Sequence, residues 1–457
     1  MFDSSPMSSS NSMSPIEIGV SSVVLIVFFI YTGLYIPVAL GLISFVGVWI
    51  IRDNVDIAVA LLSESVSDTI SALTFAAIPL FALMGLITQK AGIGRDVYEV
   101  ANFIFYRIRG GLGIATVAAN AIFASITGSS IASASVFTRV AVPEMRRFGY
   151  KTRFTVGVVA GSSVLGMLIP PSAMLIIYAI VTEQSVGRMF IAGIIPGILL
   201  AIAFGTLILF MAYLVPRFVG GQEAAGVAAE DWANQTWLDL VKKIIPVIIL
   251  VMVVLGGIYG GVFTPTEAGA AGSLAALVIA VAKRAMSWRD LWEVLVETGY
   301  ITATILFLII SASMYSRMLG VAALPTVFGE WLNGFDLSLG QLMFIYVVLM
   351  VLLGTIIETA SIILIVVPLF LVVLESFNVD LVWFGIVTVV GAEIGLLTPP
   401  LGISCFVIKS AINDPTVSLS DIFAGAFPFA VTMFLVLLIL ITYPQLSLFL
   451  LEIGYAN

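Results

Sequence analysis

The sequence predicts an all-α polytopic membrane protein of two inverted-topology repeats, with two re-entrant hairpins and two broken helices. Three observations carry that expectation. The composition suits a bilayer: 61% of residues are hydrophobic, 10% are charged and the mean hydropathy is +1.17, against about 25% charged in soluble domains. Landmark prolines recur at a nearly constant offset. Pro170-Pro171 in GMLIPPSAM matches Pro399-Pro400 in GLLTPPLGI, Pro37 in YIPVALG matches Pro265 in FTPTEAG, and Pro196 in AGIIPG matches Pro428 in AGAFPF, at separations of 228 to 232 residues. Finally, the charges flanking matched segments change sign between the copies.

Taken in order, residues 1–15 (MFDSSPMSSSNSMSP) are Ser-rich without a basic n-region, so a disordered tail is expected rather than a secretory signal. The first repeat is assigned to 16–215. It opens with apolar segments 18–32 and 36–51, whose flanks are acidic or neutral: Asp3 and Glu17 before, then Asp53, Asp56, Glu64 and Asp68 beside Arg52. The matching pair, 244–262 and 269–281, is flanked by Lys242, Lys243, Lys283, Arg284 and Arg289. Basic flanks mark the cytoplasmic side, so the two pairs are expected to face opposite ways.

The stretch 111–143 repeats the test. Arg107 and Arg109 precede it and Arg146, Arg147, Lys151 and Arg153 follow, whereas its counterpart 339–374 lies between Glu330, Asp336, Glu375 and Asp380. Each stretch is too short for two spans and carries like signals at both ends, so each is expected to be a re-entrant hairpin. Their turns are expected at TGSSIASAS, Thr127–Ser135, and at GTIIETAS, Gly354–Ser361. Backbone exposed at that depth is tolerated only inside protein or beside a water-filled cavity. Broken helices follow at about 154–180 and 382–412. Each half then has five spans and a hairpin, about ten spans in all with both termini outside. A polar cytoplasmic linker is assigned to 216–242, the second repeat to 243–445 and a C-terminal tail to 446–457.

Proline inside a helix removes a donor and frees carbonyls. Repeated hydrophobic halves broken at corresponding positions mark the binding site of a secondary transporter, where unwound carbonyls coordinate cations and half-helix N-termini face anions. Each half supplies one hydroxyl-rich tip and one break. The candidate cation ligands, hard oxygen donors suited to sodium, are therefore Thr127, Gly128, Ser129, Ser130, Gly166 and Pro170 in one half. In the other they are Gly354, Thr355, Thr359, Gly395, Thr398 and Pro399. Substrate is expected between the tips, at Ser130, Ser133, Glu358 and Ser361.

Intramembrane charges cost at least about 2.5–3.5 kcal/mol at mid-bilayer. Glu393 and Glu358 can therefore be read as cation- or proton-carrying groups, or as hydrogen-bonded carboxylates. Glu267 reads as structural at an outside turn, Arg139 as interfacial, and Lys409 as snorkelling to the cytoplasmic edge. The single Cys405 and the absence of histidine exclude an internal disulfide, a His-ligated metal and a His proton relay. With so few buried carboxylates, an intramembrane enzyme is disfavoured. No Gly-Lys-Ser/Thr phosphate loop occurs, and no charge ring suggests a passive channel.

At TGSSIASAS followed by PEMRRFGY, GMLIPPSAMLIIYA, GGIYGGVFTPTEAGAAG and GLLTPPLGISCFVI, the chain resembles the large membrane subunit of tripartite ATP-independent periplasmic (TRAP) transporters, the DctM type. The resemblance covers residues 16 to 445. It implies an elevator-type ion transporter fold in the bacterial inner (cytoplasmic) membrane, driven by a sodium gradient and importing organic acids, commonly carboxylates. It also implies two partners, a small four-helix membrane subunit (DctQ type) and a periplasmic substrate-binding protein (DctP type). The short N-terminal tail leads to the expectation that the small subunit is not fused. No cofactor beyond sodium as coupling ion, and no nucleic acid, is expected. The alternative is a stand-alone sodium- or proton-coupled carboxylate transporter of the same architecture. One charge crossing 100 mV releases about 2.3 kcal/mol, while a thousandfold gradient of solute costs about 4.1 kcal/mol. More than one coupled ion is therefore expected.

Overall fold

The computed structural model describes residues 13–220, 236–412 and 414–454. Most of the tail assigned to 1–15 and most of the linker assigned to 216–242 lie outside the described residues. Helices account for the regular structure, and an isolated bridge between Tyr150 and Gly220 is the extended pairing among the described residues. Among the described residues six helices are long and apolar enough to cross a membrane, or seven if the bent pair Thr152–Leu168 and Ala173–Val181 counts as one span. Other apolar helices are shorter. Pro15–Tyr31 and Ile36–Arg52 have 17 residues each, about 26 Å at 1.5 Å per residue.

The element order runs twice. Gly111–Thr127, Ser130–Arg147, Thr152–Ser163 and Ala173–Val181 reappear as Leu339–Gly354, Thr359–Ser376, Leu381–Leu396 and Ile403–Ile412. One difference separates the copies: the single helix Trp288–Val321 stands where the first half has Val55–Ser71, a 3-10 turn at Leu73–Ala76 and Ala77–Lys90. A second difference lies within the stretch assigned to 446–457. Gln445–Gly454 is helical, and its Leu451 and Ser447 are buried. An apolar LSLFLL run beside a packed bundle gains more by burial than it loses in chain entropy.

The chain packs as two compact units. One comprises Met1–Ala72, Thr304–Leu337 and Leu364–Asn378. Within it, Pro15–Tyr31 starts on a Ser14–Glu17 capping box with Pro15 in the first turn. Small residues admit neighbouring helices closely: a Cβ on Gly19 would lie 3.2 Å from Ala322 and one on Gly47 3.2 Å from Met318. Arg317 pairs with Glu64 at 2.6 Å and Asp68 at 2.5 Å.

The other unit comprises Leu73–Ala303, Ser338–Ile363 and Val379–Asn457, and it holds both turns and both breaks. Its two broken helices run antiparallel. At one end Tyr178 Oη donates to the Leu381 carbonyl at 2.7 Å, tying the end of the first to the start of the second. At the other, Arg153 meets Asp421 at 2.6 Å and Arg146 meets Asp414 at 2.8 Å, joining the start of the first to the exit of the second. The Thr416 hydroxyl, then Arg146, hold the Asp414 carboxyl down at about 2, so this contact is ionised at any physiological pH and weakens only as pH falls through that value.

Thr152–Ser163 crosses Leu419–Thr442 at backbone contact. A Cβ on Gly157 would sit 2.1 Å from the Gly425 carbonyl oxygen, and one on Gly425 2.0 Å from that of Arg153. Gly157→Ala is therefore expected to force the helices apart, lowering stability by about 1–3 kcal/mol as overpacking does. Thermal unfolding of the detergent-purified protein checks this; an unchanged midpoint would rule out so close a crossing.

Candidate functional site

Each turn rests on its own break. In the first hairpin, Gly111–Thr127 ends at Gly128 in the left-handed region (φ 59°), and Ser129 caps the returning helix by accepting from Ala132 N at 3.3 Å. A side chain on Gly128 would bring its Cβ within 2.8 Å of the Pro171 carbonyl oxygen, and one on Gly166 within 3.3 Å of the Ser129 backbone. Gly128 thus stands against Pro171, and Ser129 against Gly166. Ser172 closes the gap, donating to the Met167 carbonyl at 2.6 Å and accepting from Leu175 N at 3.4 Å.

The second seat is tighter. A Cβ on Gly354 would lie 2.4 Å from the Ala392 carbonyl oxygen, and one on Gly395 2.4 Å from the Gly354 backbone. The Thr355 carbonyl accepts from both Leu401 N and Gly402 N at 3.2 Å. These are backbone-to-backbone contacts that any side chain would separate. Thr398 hydrogen-bonds its own helix, to Ile394 O at 2.5 Å, and Thr355 likewise reaches Leu352 O. Both peptide bonds Pro170-Pro171 and Pro399-Pro400 are cis.

Between the two seats lies a polar cluster. Thr359, at the start of the second returning leg, donates to Glu393 Oε1 at 2.8 Å. Glu393 is buried, and its Oε2 has no hydrogen-bond partner among the described residues by geometry; the same is true of Ser130 Oγ and Ser133 Oγ. Ser130 and Glu358 lie close enough to Glu393 to act on its carboxyl group. Glu358 keeps accessible surface although it sits deep among protein atoms, and Ser361 is buried. A set of unfilled oxygens that includes carboxylate can hold a cation or a proton.

Sequence reasoning missed the side chains behind these tips. Asn120 Nδ2 donates to Ser162 Oγ at 2.7 Å, and Tyr346 bonds Thr388 at 2.8 Å. Each bond joins the entering leg of a hairpin to the following broken helix across 42 residues. Buried polar side chains within apolar runs were the available signal. Glu267 accepts from Thr264 N and Oγ1, both at 2.8 Å, in a capping box beside Pro265, so it is a structural group. Lys409 donates to the Asp414 and Val417 carbonyls.

The family described as "Tripartite ATP-independent periplasmic transporter, DctM component" has a model that matches residues 23–446. The chain belongs to the DctM family. It is 36% identical to the C4-dicarboxylate TRAP transporter large permease protein DctM of Pseudomonas aeruginosa, over 82% of this chain and 85% of that protein. It is 30% identical to the sialic acid TRAP transporter large permease protein SiaM of Vibrio cholerae, over 84% and 88%. With the 2,3-diketo-L-gulonate TRAP transporter large permease protein YiaN of Escherichia coli it shares 27%, over 85% and 89%. A structure titled for the Alcanivorax borkumensis YdaH transporter and its unusual topology aligns with a TM-score of 0.55, covering 85% of this chain and 89% of that one. At 14% identity that likeness concerns fold alone. As a DctM component the chain is a multi-pass helical TRAP large permease of the bacterial inner membrane, and these relatives are permeases rather than enzymes.

The glycine contacts of the second seat give a direct test. Gly395→Ala in this DctM protein is expected to unseat the tip and abolish uptake while leaving membrane insertion intact. Wild-type uptake by Gly395→Ala would show that the tip does not rest on the break.

Proposed function

We propose that this DctM component is the large permease subunit of a sodium-coupled secondary transporter. It imports organic acids, carboxylates in particular, delivered by a periplasmic substrate-binding protein (DctP type), and works beside a small four-helix membrane subunit (DctQ type). The observation that carries the reading is the pairing of each hydroxyl-bearing tip with its own proline break. Carbonyls and hydroxyls converging at a discontinuous helix are hard oxygen donors suited to sodium. One cation is assigned to Thr127, Gly128, Ser129 and Ser130 with Gly166 and Pro170. The other is assigned to Gly354, Thr355 and Thr359 with Gly395, Thr398 and Pro399. The acid lies between the tips, at Ser130, Ser133, Glu358 and Ser361. The two halves lie inverted in the membrane, and the antiparallel broken helices agree with that arrangement.

The names of relatives support the substrate class and the partners. Those proteins are named for C4-dicarboxylate, sialic acid and 2,3-diketo-L-gulonate, all acids. Another, the isethionate TRAP transporter permease protein DctMQ of Oleidesulfovibrio alaskensis, is 29% identical, and this chain spans 57% of it. Uptake into proteoliposomes containing the permease pair should require the binding protein. Transport of free acid without it would instead establish the stand-alone transporter.

Ser130→Ala and Thr398→Ala are each expected to raise the sodium concentration for half-maximal uptake, by about tenfold if one charge-assisted contact worth about 1.4 kcal/mol is lost. Unchanged sodium response in both would mean that the ligands lie elsewhere. Glu393, with one oxygen unfilled, supports a second reading as a proton carrier. Glu393→Gln separates the two: weakened sodium response with an unaltered pH profile supports sodium, and loss of pH dependence with intact sodium response supports the proton.

A further inference from the structure

Midway along the returning leg of the first hairpin, Arg139 is exposed and has no ion pair or hydrogen bond among the described residues. It lies ten residues past Ser129, about 15 Å along the helix at 1.5 Å per residue, and well short of the helix end at Arg147. An arginine within the membrane thickness faces water or a partner, or reaches out to the headgroups. Here it borders a cavity of about 390 Å³ between three helices, Leu73–Lys90, Ser130–Arg147 and Trp288–Val321. The size falls in the small-molecule range of about 300–1,000 Å³.

The polar lining is Gln89, Lys90, Ser135, Arg139 and Glu297. Lys90 is already engaged, 2.9 Å from Glu293 and 3.4 Å from Asp290. Glu297, like Arg139, has no ion pair among the described residues. One cation and one carboxylate therefore border the same space without closing on each other. Ser135 stands one turn before Arg139, so hydroxyl and guanidinium share a helix face. Residues that served only to neutralise each other would pair directly.

We propose that this cavity is a second binding station, apart from the hairpin tips, for a small organic carboxylate that also carries a hydroxyl or ammonium group. Arg139 takes the carboxylate through its planar fork, with Ser135 and Gln89 donating beside it. Glu297 accepts from the donor group at the other end of the ligand. That this ligand is the transported acid, in transit between the tips and solution, rests on the permease function proposed above. The site itself rests on the unpaired charges and the cavity.

The chain's single thiol makes the test clean. In a Cys405→Ser background, Val140→Cys puts a reporter on an apolar lining position and leaves the five polar side chains in place. Its modification rate is measured in detergent with anionic 2-sulfonatoethyl methanethiosulfonate and with the cationic trimethylammonioethyl analogue, each relative to a free thiol. The anionic reagent should be favoured about tenfold, the effect expected of one nearby charge at a partly screened site. Arg139→Gln should erase the preference, Arg139→Lys should keep most of it, and Glu297→Gln should increase it. Millimolar malate, a carboxylate with a hydroxyl, should slow labelling with Arg139 present and not with Arg139→Gln. A preference indifferent to Arg139→Gln, or no protection by malate, overturns the proposal. So does failure of both Val140→Cys and Leu86→Cys to react until the protein is denatured. Labelling requires no uptake, so failure of the permease function and failure of this site are read separately.

Discussion

Backbone that leaves the helix inside a bilayer must find its hydrogen-bond partners in protein, because lipid offers none. That constraint organises this molecule. Among the described residues, two hairpin turns and two proline breaks interrupt apolar helices, and each turn rests on a break. In the second half the match is made by main chain alone: the Gly354 and Gly395 backbones touch, and the Thr355 carbonyl takes both Leu401 N–H and Gly402 N–H. In the first half Gly128 and Gly166 give the same approach, and Ser172 bridges the gap. The surrounding helices then serve to hold these seats. Asn120–Ser162 and Tyr346–Thr388 lock each hairpin to its broken helix, in the same sense and across the same chain distance.

The copies share this scheme and differ in chemistry. The first break is buried at Leu168, Pro170, Pro171 and Ser172 and half-buried at Ile169, because Val186–Leu214 presses two glycines against it: a Cβ on Gly193 would lie 2.4 Å from the Leu168 carbonyl oxygen. At the second, Pro399, Pro400 and Leu401 are exposed. Glu393 occurs in the second half alone, since the matching position holds Val164. Its partner Thr359 corresponds to Ser130, whose hydroxyl has no hydrogen-bond partner by geometry among the described residues. A duplicated frame thus carries its two carboxylates, Glu358 and Glu393, in the second half, where the first half has Ser129 and Val164.

Much of this was legible in the residues. Proline removes a donor wherever it stands, so the breaks at Pro170 and Pro399 could be read without knowing their neighbours. Gly and Ser/Thr clusters within apolar runs marked the turns, because few other residues allow a chain to reverse there. What could not be read was pairing. Nothing near Thr359 in the chain indicates that its hydroxyl meets Glu393, and Arg139 gave no sign that it would face a cavity with Glu297 rather than headgroups. The helix Gln445–Gly454 was also missed, since an amphiphilic ten-residue stretch is marginal until a bundle receives it.

Sequence by itself determined the solvent, the duplication and the places where helices must end. These follow from hydropathy, constant spacing and the covalent geometry of proline and glycine, all local properties. Tertiary structure decided which turn rests on which break, which oxygens remain unfilled, and which charges stand apart across a cavity. Those outcomes depend on distances of a few ångströms between segments remote in the chain. No local preference encodes them.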